Sequence, residues 1–328
     1  MASVICTLFE NHYHYGLAVL VNSLHKQGYK GDIYVGYKGT LPAWVTSSSG
    51  TENRGQFYEW PSACLFKATA GIQLVFLPLD TDYHLTNYKP DFMLQLLAGP
   101  ANGADKIFYF DPDIIITAPW QFIKNWPDCG VAVCEDVNSP FPQYHPHRVH
   151  WRNIFKNAGI ELTFKDAFYA NGGYIGLKRE DYAFLELWKK VQEAMGPHIG
   201  GLSRSIFKSA AVLTGLEKGP FAPFGRTDQD ALNAAMEAWN KPVSMIGKEA
   251  MAFKHGGASL PHALGSPKPW EKKYLNRAFK GRSPGTIDKL FWSNLSGAVP
   301  IKASDAGVVK RKLAAIAVAK FIGRFYKS

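Results

Sequence analysis

The sequence predicts an α/β protein with a mixed, mostly parallel sheet flanked by helices, and three observations carry that prediction. Apolar runs of strand length alternate with stretches of helical spacing from the start of the chain. The first trio, residues 3–9, 17–28 and 32–37, has the strand, helix, strand order of a βαβ unit. Hydrophobic residues make up 46% of the 328, enough for a sizeable core.

"SVICTLF" reads as the first strand, followed by the polar, aromatic loop "ENHYHYG". Leu17, Leu20, Val21 and Leu24 then recur at helical spacing up to Gly28. "DIYVGY" and "IQLVFLPL" are the next strands, and "PDFMLQLLAG" is a helix entered at Pro90. "KIFYF" is a fourth strand that stops at two acids, and "GVAVCED" is a fifth. The Pro- and His-rich stretch over 138–168 predicts an irregular loop or lid over one sheet edge. "AFYANGGYIGLKRE" is a strand interrupted at Asn171, Gly172 and Gly173. "DYAFLELWKKVQEAM" is a helix capped by Asp181, with an apolar stripe through Phe184, Leu185 and Trp188. "TDQDALNAAMEAW" starts another at Thr227 or Asp228.

Net charge is +10, but residues 266–328 hold 14 Lys and Arg against Glu271, Asp288 and Asp305, which leaves the rest of the chain near neutral. A nucleic-acid binder spreads positive charge over the folded surface that grips phosphate, so no nucleic-acid partner is expected. From residue 306 onward, Ala314, Val318, Phe321, Ile322 and Phe325 fall on one helical face and Lys320, Arg324 and Lys327 on the other, with Ile316 among the polar positions. That is the pattern of an interfacial helix on an anionic membrane, or of a terminal helix packed on the body. The N-terminus lacks a basic n-region and no apolar run reaches 18 residues, so neither a signal peptide nor a membrane span is expected. Four cysteines without a C-x-x-C pair suggest reduced thiols. The expected location is cytoplasmic, peripheral at the inner face of the cytoplasmic membrane.

Asp111 and Asp113 flank Pro112 at the end of "KIFYF". Acids at i and i+2 of an extended segment share a side, so the pair suits one hard cation where the chain leaves the sheet. A solvent-facing turn is the alternative. Ligands of open α/β sheets bind beyond the carboxyl ends of strands, which favours the cation. "HALGSPKPW" offers His262 as a further ligand and Lys268 as a charge for phosphate, though a Gly- and Pro-rich loop also carries ordinary histidines. An imidazole in an oxygen-rich site suits Mn²⁺, with Mg²⁺ as the alternative. His145, His147 and His150 allow a metal site, an aromatic and basic binding loop, or a plain surface loop.

In order along the chain, "YFDPD", "YANGG", "TDQD" and "HALGSPKPW" resemble the motifs of GT-A fold glycosyltransferases, in particular the family of glycogenin and the bacterial lipooligosaccharide galactosyltransferases. The resemblance covers Ser3 to Trp270. It implies a catalytic domain over 1–270, with a nucleotide-sugar half to about residue 136 and an acceptor half from 137, followed by a basic extension over 271–328. It implies Asp111, Asp113 and His262 as metal ligands, with Asp111 also near the ribose, and Gly265 and Lys268 as diphosphate contacts. Asn171 and Gly172 match donor-sugar contacts, Asp228 the acid that binds the sugar, and Gln229 the residue beside the anomeric carbon. Gln229, Asp228 and Lys268 would then carry the reaction. Thr7, Leu8 and Glu10 sit where the family builds its base pocket, and Lys89 stands in for its basic residue before the acids. Pro112 and Gly173 depart from the family pattern.

The implied activity is metal-dependent transfer of a hexose from a nucleoside diphosphate, UDP by preference, to a glycan or lipid-linked acceptor with retention. The other readings are a non-catalytic nucleotide-sugar or glycan-binding protein of the same fold and a basic nucleic-acid-binding protein.

Overall fold

The computed structural model describes residues 2–205, 222–299, 301 and 306–326. β1 (Ser3–Glu10), α1 (His14–Lys26) and β2 (Gly31–Lys38) form the expected βαβ unit, with Ile5 opposite Ile33 in a parallel ladder. A short α2 (Ala43–Thr46) precedes β3 (Thr51–Arg54), β4 (Ala63–Lys67) and β5 (Ile72–Pro78). Then come α3 (Lys89–Ala98), β6 (Lys106–Phe110), α4 (Trp120–Asn125), β7 (Val131–Cys134), α5 (Pro146–Asn157) and β8 (Tyr174–Lys178). The chain continues through α6 (Ala183–Ile199), α7 (Thr227–Ala238), β9 (Val243–Ile246), α8 (Tyr274–Ala278), α9 (Thr286–Asn294) and α10 (Ala306–Ile322).

Among the described residues the sheet has nine strands in the order β3-β4-β5-β2-β1-β6-β8-β7-β9. β5, β2, β1 and β6 run parallel, and β8 is antiparallel to both β6 and β7. The chain thus leaves β1 toward β2 on one side and β6 on the other, which opens a crevice at their carboxyl ends.

Alternation along the strands divides the core between the two faces. Cys6, Leu8, Ile107 and Tyr109 pack against α3, α5, α6 and α7. Ile5, Phe9, Phe108 and Phe110 pack against α1, α9 and α10. Burial on both faces explains why "KIFYF" is apolar without a break.

Besides Asp181, which does not cap α6 because the N-cap position falls on Tyr182, four features differ from expectation. β3 and β4 extend the sheet beyond β5, with β3 at the edge, and β9 adds an edge on the other side. The His-rich stretch contains α5 rather than an irregular lid, because Pro146 takes the first helical position and the His145 side chain accepts from His147 N. His147, Arg148 and Trp151 are consequently buried, and Arg148 Nη1 pairs with Glu237 Oε1 at 2.6 Å.

The fourth is α10, which carries two apolar stripes. Ile316, expected on the polar side, is the buried one, and with Ala319 it packs on the core that includes Phe291 and Trp292 of α9. Of the expected lipid-facing residues, Ala314, Val318, Phe321 and Phe325 are exposed, whereas Ile322 is half-buried against the same core. Lys327 lies outside the described residues. No described helix is long and apolar enough to cross a membrane.

Candidate active site

The site begins with a turn. After β6 the segment Asp111–Ile114 closes with Ile114 N donating to Asp111 O at 3.1 Å, and Pro112 takes its second position, where a fixed φ is favourable. α1 lies directly against this turn because Gly16 has no side chain: a Cβ there would fall 2.6 Å from Pro112 O. The chain then bridges Ile114 to His262, with Ala263 N donating to Asp113 O at 3.1 Å and Ile115 N to Pro261 O at 2.9 Å. Those bonds seat the imidazole beside the acids.

Asp111 Oδ2 lies 3.7 Å and Asp113 Oδ1 3.2 Å from His262 Nε2. One ligand atom from each residue falls within 4.8 Å of the others. His262 Nδ1 faces Asn171 Oδ1 at 3.2 Å, which assigns its proton to that side and leaves the Nε2 lone pair toward the carboxylates. A lone pair and two carboxylate oxygens converging on one point repel one another unless a positive charge lies between them. This donor set fits a divalent cation.

Lysines balance the acids. Lys268 Nζ lies 2.5 Å from Asp113 Oδ2 and 2.7 Å from Ala263 O. Burial alone would raise the Asp113 pKa, but the His262 ring when protonated, together with Lys268, holds it well below the usual carboxylate range. Burial would lower Lys268, and Asp113 more than restores it. Trp270 explains the aromatic end of the motif, since its ring meets Tyr13 at 5.8 Å and Phe291 at 5.3 Å and so fixes the loop that carries Lys268.

On the other side of Asp111, Tyr109 OH donates to Oδ1 at 2.8 Å, as two residues on one face of a strand allow. Lys89, buried at the start of α3, donates to Gly172 O at 2.7 Å and pairs with Asp228 Oδ2 at 2.9 Å and Asp111 Oδ1 at 3.2 Å. Its burial pushes the pKa down, and the two acids more than offset this. β8 pairs with β6 so that Asn171 to Gly173 run beside Asp111, whose N–H donates to Gly173 O at 2.7 Å. Gln229 Oε1 accepts from Gly172 N at 3.1 Å, while its Nε2 has no hydrogen bond among the described residues.

A cleft of about 710 Å³ joins these groups. Leu8, Glu10, Asp111, Asp113, Asn171, Gly172, Asp228, Gln229, His262, Gly265 and Lys268 all line it. Thr7 and Lys89 do not: Thr7 is fully buried and Lys89 is 1% exposed, so each sits behind the wall. Lys89 therefore reaches the cleft only through the groups it holds, Asp111, Asp228 and the Gly172 carbonyl.

Sequence reading passed over Tyr109, Asp136 and Arg226. Asp136 Oδ2 accepts from Asn171 Nδ2 at 2.7 Å, and Arg226 lines the cleft with Nη2 donating to Asn138 Oδ1 at 2.8 Å. The signal for Asp136 was its place just beyond a buried strand, as for Asp111. Asp230, by contrast, accepts from Tyr169 OH at 2.6 Å and Arg226 N at 2.7 Å, and burial pushes it up to about 7. It anchors the start of α7.

No protein-family model matches the sequence, and no curated protein matches it. Among solved structures, an active-site mutant of LgtC aligns over 93% of this chain and 99% of its own, with a TM-score of 0.50 and 12% identity. The chain has the GT-A fold. The glycosyltransferase GlyE of Streptococcus pneumoniae TIGR4 aligns over 96% of this chain at 14% identity and a TM-score of 0.47. This chain spans 64% of the GlyE chain. Within the GT-A fold of this chain, the cleft lies where β1 and β6 end, at the crevice already described.

Proposed function

We propose that this protein is a metal-dependent glycosyltransferase that moves a hexose from a nucleoside diphosphate, UDP by preference, to a glycan or lipid-linked acceptor. The convergence of Asp111, Asp113 and His262 in one cleft with Lys268, Asp228 and Gln229 carries this reading. Leu8 and Glu10 line the cleft and would hold the base. Asp111, Asp113 and His262 would hold Mn²⁺, or Mg²⁺, which when bound supplies positive charge to the leaving diphosphate. Lys268 exchanges its Asp113 partner for a phosphate oxygen and adds a second charge, with Gly265 beside it. Asp228 and Asn171 orient the sugar, and Gln229 presents an amide donor near the anomeric carbon.

Retention is the stereochemical form of the proposal. The acceptor approaches from the leaving-group side, and a phosphate oxygen takes its proton. Thermal shift across nucleotide sugars, with and without Mn²⁺, should show stabilisation by the nucleotide sugar only when Mn²⁺ is present, beyond the shift that Mn²⁺ gives alone. Product NMR should then show the donor's anomeric configuration kept. An inverted product removes the retaining mechanism, and turnover that survives EDTA removes the metal.

The acceptor's location is suggested by α10. Exposed Phe321 and Phe325 stack edge to face, and Tyr326 meets Phe279 in the same way, among exposed Lys280, Arg282, Lys320 and Arg324. Aromatic rings within a basic rim suit the interface of an anionic bilayer. The double variant Phe321→Ser/Phe325→Ser should lower co-sedimentation with phosphatidylglycerol vesicles about tenfold or more, an effect expected from burying two rings. Equal binding of variant and parent would remove the membrane role.

A further inference from the structure

Two adjacent glycines lie beneath two different functional groups. A Cβ built at Gly172 would sit 2.9 Å from Asp228 Oδ2. One built at Gly173 would sit 2.6 Å from His262 Cε1, 2.9 Å from Asn171 Oδ1 and 3.0 Å from His262 Nδ1, the two groups of one hydrogen bond. Both approaches are closer than non-bonded contact, which is most favourable near 3.5–4.0 Å between carbons. The nearest atom in each case is the end of a side chain, so a methyl group is admitted by moving that side chain rather than the backbone.

Neither side chain is free to move without breaking a contact the site uses. Asp228 Oδ2 is anchored on Lys89, which in turn holds the Gly172 carbonyl and Asp111. His262 is fixed through Nδ1 on Asn171 Oδ1, which aims Nε2 at the acids. A single step along the chain therefore separates the support of the sugar-facing acid from the support of the cation ligand.

We infer that Gly172 and Gly173 are positioning residues: the missing side chain of Gly172 reserves the place of Asp228, and that of Gly173 the place of His262. What the two groups bind rests on the transfer reading above, whereas the displacement of each group does not. Gly172→Ala should therefore impair recognition of the sugar and spare the cation, and Gly173→Ala should impair the cation. Because the chain adopts both positions without a left-handed φ, the two alanines add bulk and little backbone strain.

Isothermal titration of the full chain decides this, using Mn²⁺ alone, UDP with Mn²⁺, and UDP-glucose or UDP-galactose with Mn²⁺. Gly173→Ala should weaken Mn²⁺ about tenfold or more, the loss expected when the support of a ligand is disturbed. Gly172→Ala should bind Mn²⁺ and UDP within about threefold of the parent and lose about tenfold or more for the UDP-hexose the parent prefers. Equal losses of Mn²⁺ affinity in the two variants, or no loss in either, would overturn the assignment.

A second readout needs no ligand. The Lys89→Met/Asp228→Asn cycle, followed by urea unfolding, should show coupling of about tenfold in the unfolding constant, falling below about threefold in the Gly172→Ala background. Lys89→Gln replaces the methionine if that variant does not fold. Undiminished coupling beside Gly172→Ala overturns the inference whatever the protein binds. A parent that binds Mn²⁺ but no nucleotide sinks the transfer reading instead, and leaves the Gly173 comparison and the cycle to judge the two glycines.

Discussion

Asp113→Ala is expected to lower sugar transfer roughly 10²–10³-fold, the range seen when one preorganised charge-stabilising group is removed from a transition state. The reason is geometric. Asp113 supplies an oxygen to the cation site through Oδ1 and holds Lys268 through Oδ2 at 2.5 Å, so one substitution disturbs both positive charges proposed for the diphosphate. Asp113→Asn keeps the shape and removes the charge, and it should fall nearly as far. Circular dichroism and melting of each variant separate loss of function from loss of fold. Residual transfer should no longer respond to added Mn²⁺; if activity survives Asp113→Ala together with EDTA, the cation has no part in the reaction.

Lys89→Met is expected to destabilise the protein by roughly 3–5 kcal/mol, the cost of leaving a buried charge without its partner. Lys89 is 1% exposed and stands between Asp111 and Asp228, so its loss leaves two carboxylates facing each other across an apolar gap. Adding Asp228→Asn should recover part of the loss by removing one of them. A fall in melting temperature of roughly 4–7 °C is the corresponding observable. A fully stable Lys89→Met would mean that the two acids find another counter-charge. Lys89→Arg is not a conservative control, because the larger planar guanidinium does not fit the place of a buried ammonium.

The strand and helix order was legible where burial is strong. "KIFYF" and "SVICTLF" are apolar on both faces, and the helices that cover them repeat their apolar residues at helical spacing. β3 was not legible, because "TENR" is a polar edge whose pairing comes from β4 rather than from its own side chains. β9 is four residues, too short for a period to register. α5 was hidden by its own first turn: Pro146 reads as a breaker in the middle of a segment but starts a helix at its first position.

The cleft-lining residues Asp111, Asp113, His262 and Lys268 were legible as motif members, since each lies in a turn or loop that interrupts apolar sequence. Lys89 was placed beside the donor, and the structure sets it one layer deeper. Its position depends on where α3 meets β8 and α7, a meeting that no local pattern encodes. The same holds for α10. Helical spacing found one apolar stripe, but which of two stripes faces the protein is decided by α8 and α9.

The bridge between Ile114 and His262 also bears on how the protein is made. Its two sides lie far apart along the chain, and between them come β7, β8, α6 and α7. Contacts of such long sequence separation carry a large closure cost and form slowly. A nascent chain still short of His262 holds both aspartates of the turn without their imidazole. The three candidate cation ligands can thus come together only once the ribosome has passed His262.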